Sequence, residues 1–413
     1  MRSKIEAGVH LYALDNGGRA VIKRKSNIPL VTIAIGGRGG VHDESIENAG
    51  LTGLMARTSV KGTATRTAAE IAQAAEEMGG SISPSVSSDV VDWQITVPAK
   101  HFERALDLLA DVAFHAAFPE KEFDVERKLA LSDVQQTRDD MYRYPLRLCL
   151  EQAFRDHPYG NTIESVERSL TRATASDVAA WHKQQVYSEP WMFVVGDVDP
   201  DAAARAVDAI TPRAHANGRT SQQQIVWGGP SIHAEQRDKT QTALAIAFPG
   251  PPHDDPDVYA LHVLSNAVGG LGGRFFEELR SKRSLAYTVS LMPVSRWLGG
   301  AFIAYIATAP EREDEARSAL LEEFARLLAE PLPEDEVARA QRYTIGTWQI
   351  RGQTNSSQLG DLVDAYLLGD GVREITEFEE RIRSVTPQRI QAAARKYFDP
   401  SQLVEGIVRG KAQ

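Results

Sequence analysis

Cysteine is nearly absent: Cys149, in the apolar run PLRLCLEQAF, is the only one in 413 residues. No disulfide framework can form, the thiol reads as a core residue, and the usage suits a reducing compartment. No run of about 18 apolar residues occurs, the length a membrane-spanning helix needs. The N-terminus MRSKIEAGVHLYALDNG carries no apolar signal segment and enters a strand pattern almost at once. The expectation is a cytoplasmic protein, or a periplasmic one from which a signal peptide has been removed. No basic block accompanies the net charge of −10, which argues against nucleic acid as a partner. The ten histidines are scattered, and none form an i, i+4 pair on one helix face. His42-Asp43-Glu44 and His253-Asp254-Asp255 read as solvated polar loops. A chain without a metal of its own is expected.

What is present is the composition of a globular protein, 42% hydrophobic and 25% charged, long enough for two or three domains. HLYAL and RAVIKRK flank Asn16-Gly17-Gly18, a hairpin signal, and LVTIAIGG gives a further strand. Residues 49–59 read as an apolar helix, and Thr67 with Glu70 as a capping box. DVVDWQITV alternates Val91, Trp93, Ile95 and Val97 as a strand does. Helices follow at about 99–116, 120–138, 145–156 and 175–186, then the strand WMFVVGDV and a helix after Asp199-Pro200.

Residues 211–231 are polar and rich in Gly, Ser, Gln and Pro, and read as a linker between a domain at 1–210 and one at 232–413. Beyond it the order of elements repeats: TALAIAFPG, a helix, LAYTVSLMPVS, GGAFIAYIATA, helices at about 311–328 and 333–350, and a final strand LVEGIVRG. FPEKEFDVERKLALSDV (118–134) aligns without gaps against LPEDEVARAQRYTIGTW (332–348), each opening on Pro-Glu. A duplication is the better account of this match. The expected class is α+β: two duplicated domains, each a mainly antiparallel sheet with helices on one face.

The second domain contains GGLGGRFFEELRSKRSLAYTV, 269–289. Gly269, Gly270, Gly272 and Gly273 let another backbone approach closely. A helical run from Arg274 to Lys282 and a strand from Leu285 place Arg280 and Tyr287 at successive corners. Both are donors able to hold a carbonyl or a developing oxyanion. The same residues also fit a plain helix start with an exposed arginine and a half-buried tyrosine. Phosphate binding fits poorly: no Lys-Ser or Lys-Thr follows the glycines, and a helical pattern rather than a strand precedes them.

Taken together, these segments resemble the insulinase family of zinc metallopeptidases, the inverzincins, which includes pitrilysin and the mitochondrial processing peptidase. The resemblance covers nearly the whole chain. Aligned back from Lys61-Gly62-Thr63, the family's H-x-x-E-H motif falls on Gly53, Leu54, Met55, Ala56 and Arg57, so every position is lost. The third ligand, a glutamate on a later helix, aligns with Asp133, and Glu126 lies two turns earlier. Catalytic zinc takes three protein ligands, and Asp133 alone is not a site. RFFEELRSKRSLAYTV, by contrast, matches the family's arginine–tyrosine segment, with Arg280 and Tyr287 at its spacing. In active members that pair grips the substrate backbone and the tyrosine helps stabilise the oxyanion, beside a glycine loop lining the chamber.

The resemblance therefore implies half of a clamshell: a subunit without zinc that lends Arg280, Tyr287 and the glycine loop to a homologous, zinc-bearing partner acting on peptides. The alternative it implies is a catalytically inactive scaffold or peptide-binding module, homodimeric like the core subunits of the respiratory cytochrome bc complex.

Overall fold

The computed structural model describes residues 2–187, 189–214, 224–270, 272–286 and 288–411. Strands β1 (Arg2–Glu6), β2 (Val9–Ala13), β3 (Arg19–Arg24), β4 (Leu30–Arg38), β5 (Ser83–Val86), β6 (Val90–Pro98) and β7 (Trp191–Gly196) form a seven-stranded sheet, ordered β1-β2-β3-β7-β4-β6-β5. Strands β8 (Ser231–Gln236), β9 (Thr242–Gly250), β10 (Thr288–Val294), β11 (Gly300–Thr308) and β12 (Val404–Arg409) form a five-stranded sheet, ordered β10-β11-β9-β12-β8.

The first eight helices are α1 (Leu51–Ser59), α2 (Ala68–Glu76), α3 (Phe102–Phe114), α4 (Glu120–Asp139), α5 (Arg143–Ala153), α6 (Ile163–Arg172), α7 (Ala175–Tyr187) and α8 (Pro200–Ile210). The others are α9 (Asp257–Val268), α10 (Glu313–Ala329), α11 (Glu334–Arg351), α12 (Asn355–Leu367), α13 (Val372–Thr376), α14 (Phe378–Arg383) and α15 (Pro387–Tyr397). Local chemistry sets several boundaries. Thr67 and Glu70 close both bonds of the capping box on α2, and Asp199 accepts from Ala202 N at 2.8 Å to start α8.

The two sheets are copies of one topology. β4 is antiparallel to β6 and β7, as β9 is to β11 and β12. β7 is parallel to β3 as β12 is to β8, and β6 is antiparallel to β5 as β11 is to β10. The aligned helices α4 and α11 each follow a buried apolar residue, Phe118 and Leu332. Beyond β3, the first sheet continues into the β2–β1 hairpin, and among the described residues nothing corresponds to it beyond β8.

The compact units are Met1–Asp133, Glu164–Gln222 and Arg351–Thr376, and Val134–Ile163, Gln223–Ile350 and Glu377–Gln413. Each half of the chain thus lends a segment to the unit built mainly from the other half. Of the expected linker at 211–231, residues 215–223 lie outside the described residues.

The lent segments cover apolar sheet faces. On the first sheet, α12 lays Leu359, Leu362, Val363 and Leu367 against Val9, Val21, Ala34, Val90, Phe193 and Val195. That spacing is one stripe of a helix. On the second sheet, α5 packs Cys149 and Ala153 against Ala245, Ala247, Ile303 and Val404. Gly406 makes the approach possible, because a Cβ there would stand 2.3 Å from Pro145 O and 2.4 Å from Cys149 N. Cys149 is a core thiol, and burial pushes its pKa well above the usual range. α13 joins the α12 side through Val372, and on the opposite face of the second sheet α9, α10 and α15 lie over Ile246, Phe248, Phe302 and Ile407. Burying each of the four α12 side chains contributes roughly 1.5–3 kcal/mol, a large share of the 5–15 kcal/mol typical of a whole domain. Residues 1–210 produced alone should therefore lack a cooperative thermal transition and bind a hydrophobic dye. Adding a peptide of residues 351–376 should reduce the dye signal.

One reading of polar residues changes. Glu44 is buried and the side chains of His42 and Asp43 are largely out of water rather than solvated: Glu44 accepts from Gly50 N and Thr52 N at the start of α1, and His42 lies 3.2 Å from Asp43 and 3.6 Å from Asp89. Neutralising the N–H groups at a helix start is what draws Glu44 inward. Asp92, on the sheet face under α12, is buried with Oδ1 unbonded. Desolvation first, with the Asp364 charge adding to it, pushes its carboxyl up to about 6. A raised carboxyl pKa favours folding fully below the unfolded value near 4, and that contribution is lost as pH rises through 6. Asp92→Asn should accordingly stabilise the protein above pH 6, by up to about 2–3 kcal/mol, with little effect at pH 4. Thermal melts at the two pH values check this.

Candidate functional site

The positions aligned with the zinc motif lie on α1, and their faces decide what they can do. Leu54, Met55 and Ala56 are buried, whereas Gly53 and Arg57 share the partly exposed face, one turn apart. A Cβ on Gly53 would meet nothing within 4 Å. Arg57 Nη1 lies 2.7 Å from Asp133 Oδ2, and its Nε 3.8 Å from Glu126 Oε2. Lys61 Nζ, one further turn along, reaches Glu126 Oε1 at 3.1 Å. Glu126 is 7% exposed, so the two cations neutralise a carboxylate that is largely out of water.

Arg57 and Asp133 are therefore brought together, with Glu126 and Lys61, as an ion-paired junction of α1 and α4, whereas Gly53 and the buried Ala56 take no part in these ion pairs. This donor set does not fit zinc: the motif's two imidazole positions are a glycine and a guanidinium that cannot lose its proton. Among the described residues no group of three or more His, Cys, Asp or Glu is placed to hold a metal. Lys61 was not marked as a participant by the sequence reading, though its place one turn beyond Arg57 could have shown it.

In the other unit, α9 ends at Val268 and the glycines follow. Only two of them are sterically required. A Cβ on Gly273 would lie 2.4 Å from Val268 O, and one on Gly269 2.8 Å from Ser265 O. A Cβ on Gly270 would make only an ordinary contact, 3.7 Å from Asn266 O, Gly272 faces open space, and Arg339 donates to Gly272 O at 3.4 Å. The helical run from Arg274 contains a π-helix, Phe276–Lys282, a wide turn frequent at functional sites. Arg280 is exposed on it, with its guanidinium 4.8 Å over the Phe276 ring. Tyr287 lies outside the described residues. The next strand starts at Thr288 rather than Leu285, because residues 283–286 form a fixed turn.

That turn is held by its carbonyls. Arg312 donates Nη1 to Ser284 O at 2.7 Å and Nη2 to Arg283 O at 3.1 Å, while Glu315 fixes the guanidinium. Thr308 Oγ1 donates to Leu285 O at 2.6 Å. Ser284 sits at φ 50, a left-handed backbone that these bonds stabilise. Beside it is a cavity of about 360 Å3 lined by Gln241, Arg280, Ser284, Leu285 and the end of β11. Nothing in the sequence pattern marks Arg312 or Thr308.

The models of one family match most of the chain: "Insulinase (Peptidase family M16)" over residues 19–166 and "Peptidase M16 inactive domain" over 172–343. The chain belongs to the insulinase family, peptidase family M16. It is similar to an uncharacterized zinc protease of Mycobacterium leprae, 27% identical over 401 residues, covering 95% of this chain and 90% of that protein. An uncharacterized zinc protease of Bacillus subtilis is 23% identical over 393 residues, covering 94% and 95%.

Two crystal structures share the fold. A peptidase M16 inactive domain from Pseudomonas fluorescens superposes with a TM-score of 0.89 at 21% identity, over 98% of this chain and 99% of that one. A protease from Helicobacter pylori gives 0.86 at 16% identity, over 97% and 99%. Within this M16 chain Arg57, at a position aligned with the zinc motif, is ion-paired to Asp133 and Glu126. Arg57→Ala should lower stability by about 1–2 kcal/mol, between an exposed pair and a buried one. Neither that variant nor the parent should carry stoichiometric zinc. Urea unfolding and metal analysis measure the two outcomes.

Proposed function

We propose that this M16 chain is the zinc-free subunit of a two-chain peptidase. The observation that carries the reading is the contrast between its two motifs. Every zinc-motif position is replaced, with Arg57 bonded to Asp133 and Glu126, whereas RFFEELRSKRSLAYTV keeps both Arg280 and Tyr287. The partner is a homologous subunit bearing H-x-x-E-H and zinc, and the two close as a clamshell around a peptide. A cytoplasmic setting belongs to this reading and is supported by the single buried Cys149; a periplasmic setting is the alternative if a signal peptide was cleaved. Among the described residues no helix is long and apolar enough to cross a membrane.

In this reading negative charge grows on the carbonyl oxygen as the partner's zinc-activated water attacks. Tyr287 donates its hydroxyl to that oxygen, and Arg280 holds a neighbouring peptide carbonyl through its planar fork. The turn at 283–285 held by Arg312 and Thr308 follows Arg280 directly and supports the reading, because it fixes the backbone beside that side chain. Gly270 and Gly272 leave room for substrate backbone. This reading keeps a 1–210 and a 232–413 domain joined by the linker at 211–231 as the order of the chain, with segments 134–163 and 351–376 exchanged between the two compact units.

Co-expression with the H-x-x-E-H partner and steady-state kinetics on an unstructured peptide test the proposal. Tyr287→Phe should cut kcat by about 10²–10³ with assembly and zinc content unchanged. Arg280→Ala should damage both kcat and KM. Turnover of Tyr287→Phe within about twofold of the parent, far below the oxyanion-donor loss, would overturn the catalytic role and leave the inactive scaffold.

A further inference from the structure

Four strands end the two sheets, and three of them are blunted against pairing. β1 carries the exposed Lys4, β5 is four residues long and contains Pro84, and β10 contains Pro293. Charge, shortness and proline are the devices that keep sheet edges from pairing with other chains. β8, with sequence SIHAEQ, has no lysine, arginine or proline. Its counterpart β3 is covered on the same side by β2, but among the described residues no strand pairs with the outer side of β8.

The backbone of β8 is half used. Ser231 N donates to Leu403 O and Arg237 N to Arg409 O, so odd-numbered residues bond inward to β12 along the in-register ladder. The N–H and C=O groups of Ile232, Ala234 and Gln236 consequently point outward. Their side chains are exposed as well, Ile232 at 60%.

We propose that this edge pairs with the β8 of a second copy of the chain, antiparallel and centred on Ala234. A two-fold axis at Ala234 places Ile232 opposite the second copy's Gln236 and Ala234 opposite its own copy. The three outward-facing residues then form hydrogen-bonded pairs that each exchange two bonds. The odd residues fall at the non-hydrogen-bonded positions, where side chains come closest. There His233 meets the second copy's Glu235, and Glu235 meets the second copy's His233.

Shifting the axis by one residue either way sets His233 against His233 or Glu235 against Glu235. Only the Ala234 register joins a donor to an acceptor at both sites, and this selects it. An imidazole N–H can donate in either protonation state. Glu235 already accepts from Tyr144 at 2.8 Å and from Arg237 Nη2 and Nε at 2.7 and 3.2 Å, with His233 of its own strand 3.6 Å away, and the roughly four lone-pair sites of a carboxylate leave one for the second copy. Ala234 at the axis lets the backbones meet without side-chain conflict. This pairing is separate from the association with a zinc-bearing subunit and does not depend on it.

The full chain alone should show a concentration-dependent monomer–dimer equilibrium in sedimentation equilibrium. Ala234→Pro removes an outward N–H and leaves the β12 ladder intact, so it should give a monomer with an unchanged melting temperature. His233→Glu, which opposes two carboxylates at each site, should weaken the dimer at least tenfold. Deuterium exchange of the peptide spanning 231–237 should slow as concentration rises, in the parent and not in Ala234→Pro. A chain that stays monomeric at every concentration, or a dimer that Ala234→Pro leaves equally strong, overturns the proposal.

Discussion

Each sheet has two apolar faces, and helices from the same half of the chain cover only one of them. Everything else in the architecture answers to that constraint. The face bearing Val9, Val21, Phe193 and Val195 is closed by α12, and the face bearing Ala245, Ile303 and Val404 by α5. Two duplicated units tied by such an exchange are one thermodynamic object, since removing either helix exposes a core. The exchange also fixes where polar groups are tolerated. Asp92 sits under α12 with an oxygen unbonded, held out of water by the helix that closes the face.

The α1–α4 junction is held by charge at the positions aligned with the family's zinc motif. A zinc ion bound by two helices is also a cross-link between them. Here Arg57 and Lys61 on the α1 side face Glu126 and Asp133 on α4, so opposite charges still bind the elements together. Guanidinium and ammonium groups bridge the two helices here without offering an electrophile. In the other unit the turn after the π-helix is bonded through three consecutive carbonyls, 283 to 285, around a left-handed Ser284. Order of that kind is more than packing alone needs, and it lies beside Arg280.

The sequence was informative wherever a local rule governs. The Asn16-Gly17-Gly18 hairpin, the Thr67 capping box, the Trp93 strand and the Pro-Glu starts of α4 and α11 are set by neighbours in the chain. The duplication was visible through the 118–134 and 332–348 match. β8 escaped notice because SIHAEQ has weak strand character and exists through its pairing with β12, far away in sequence. The exchanged roles of α5 and α12 are a choice of partner, which amphipathic spacing cannot state. His42 to Glu44 looked solvated because their partners, Asp89 and the amides starting α1, are a matter of tertiary placement. Arg57, Asp133 and Arg280 could be named from motif spacing, but the bonds of Arg57 and the Arg312 clamp needed coordinates.

The exchange of α12 also carries a cost in time. A ribosome delivers β2 and β3 early, yet the helix that seals their outer face spans residues 355–367 of a 413-residue chain. At typical synthesis rates of about 5–20 residues per second, the interval between them lasts tens of seconds. During that interval Val9 and Val21, joined once β7 is made by Phe193, belong to an open apolar surface on a nascent chain. The first sheet to be made is thus among the last to be closed.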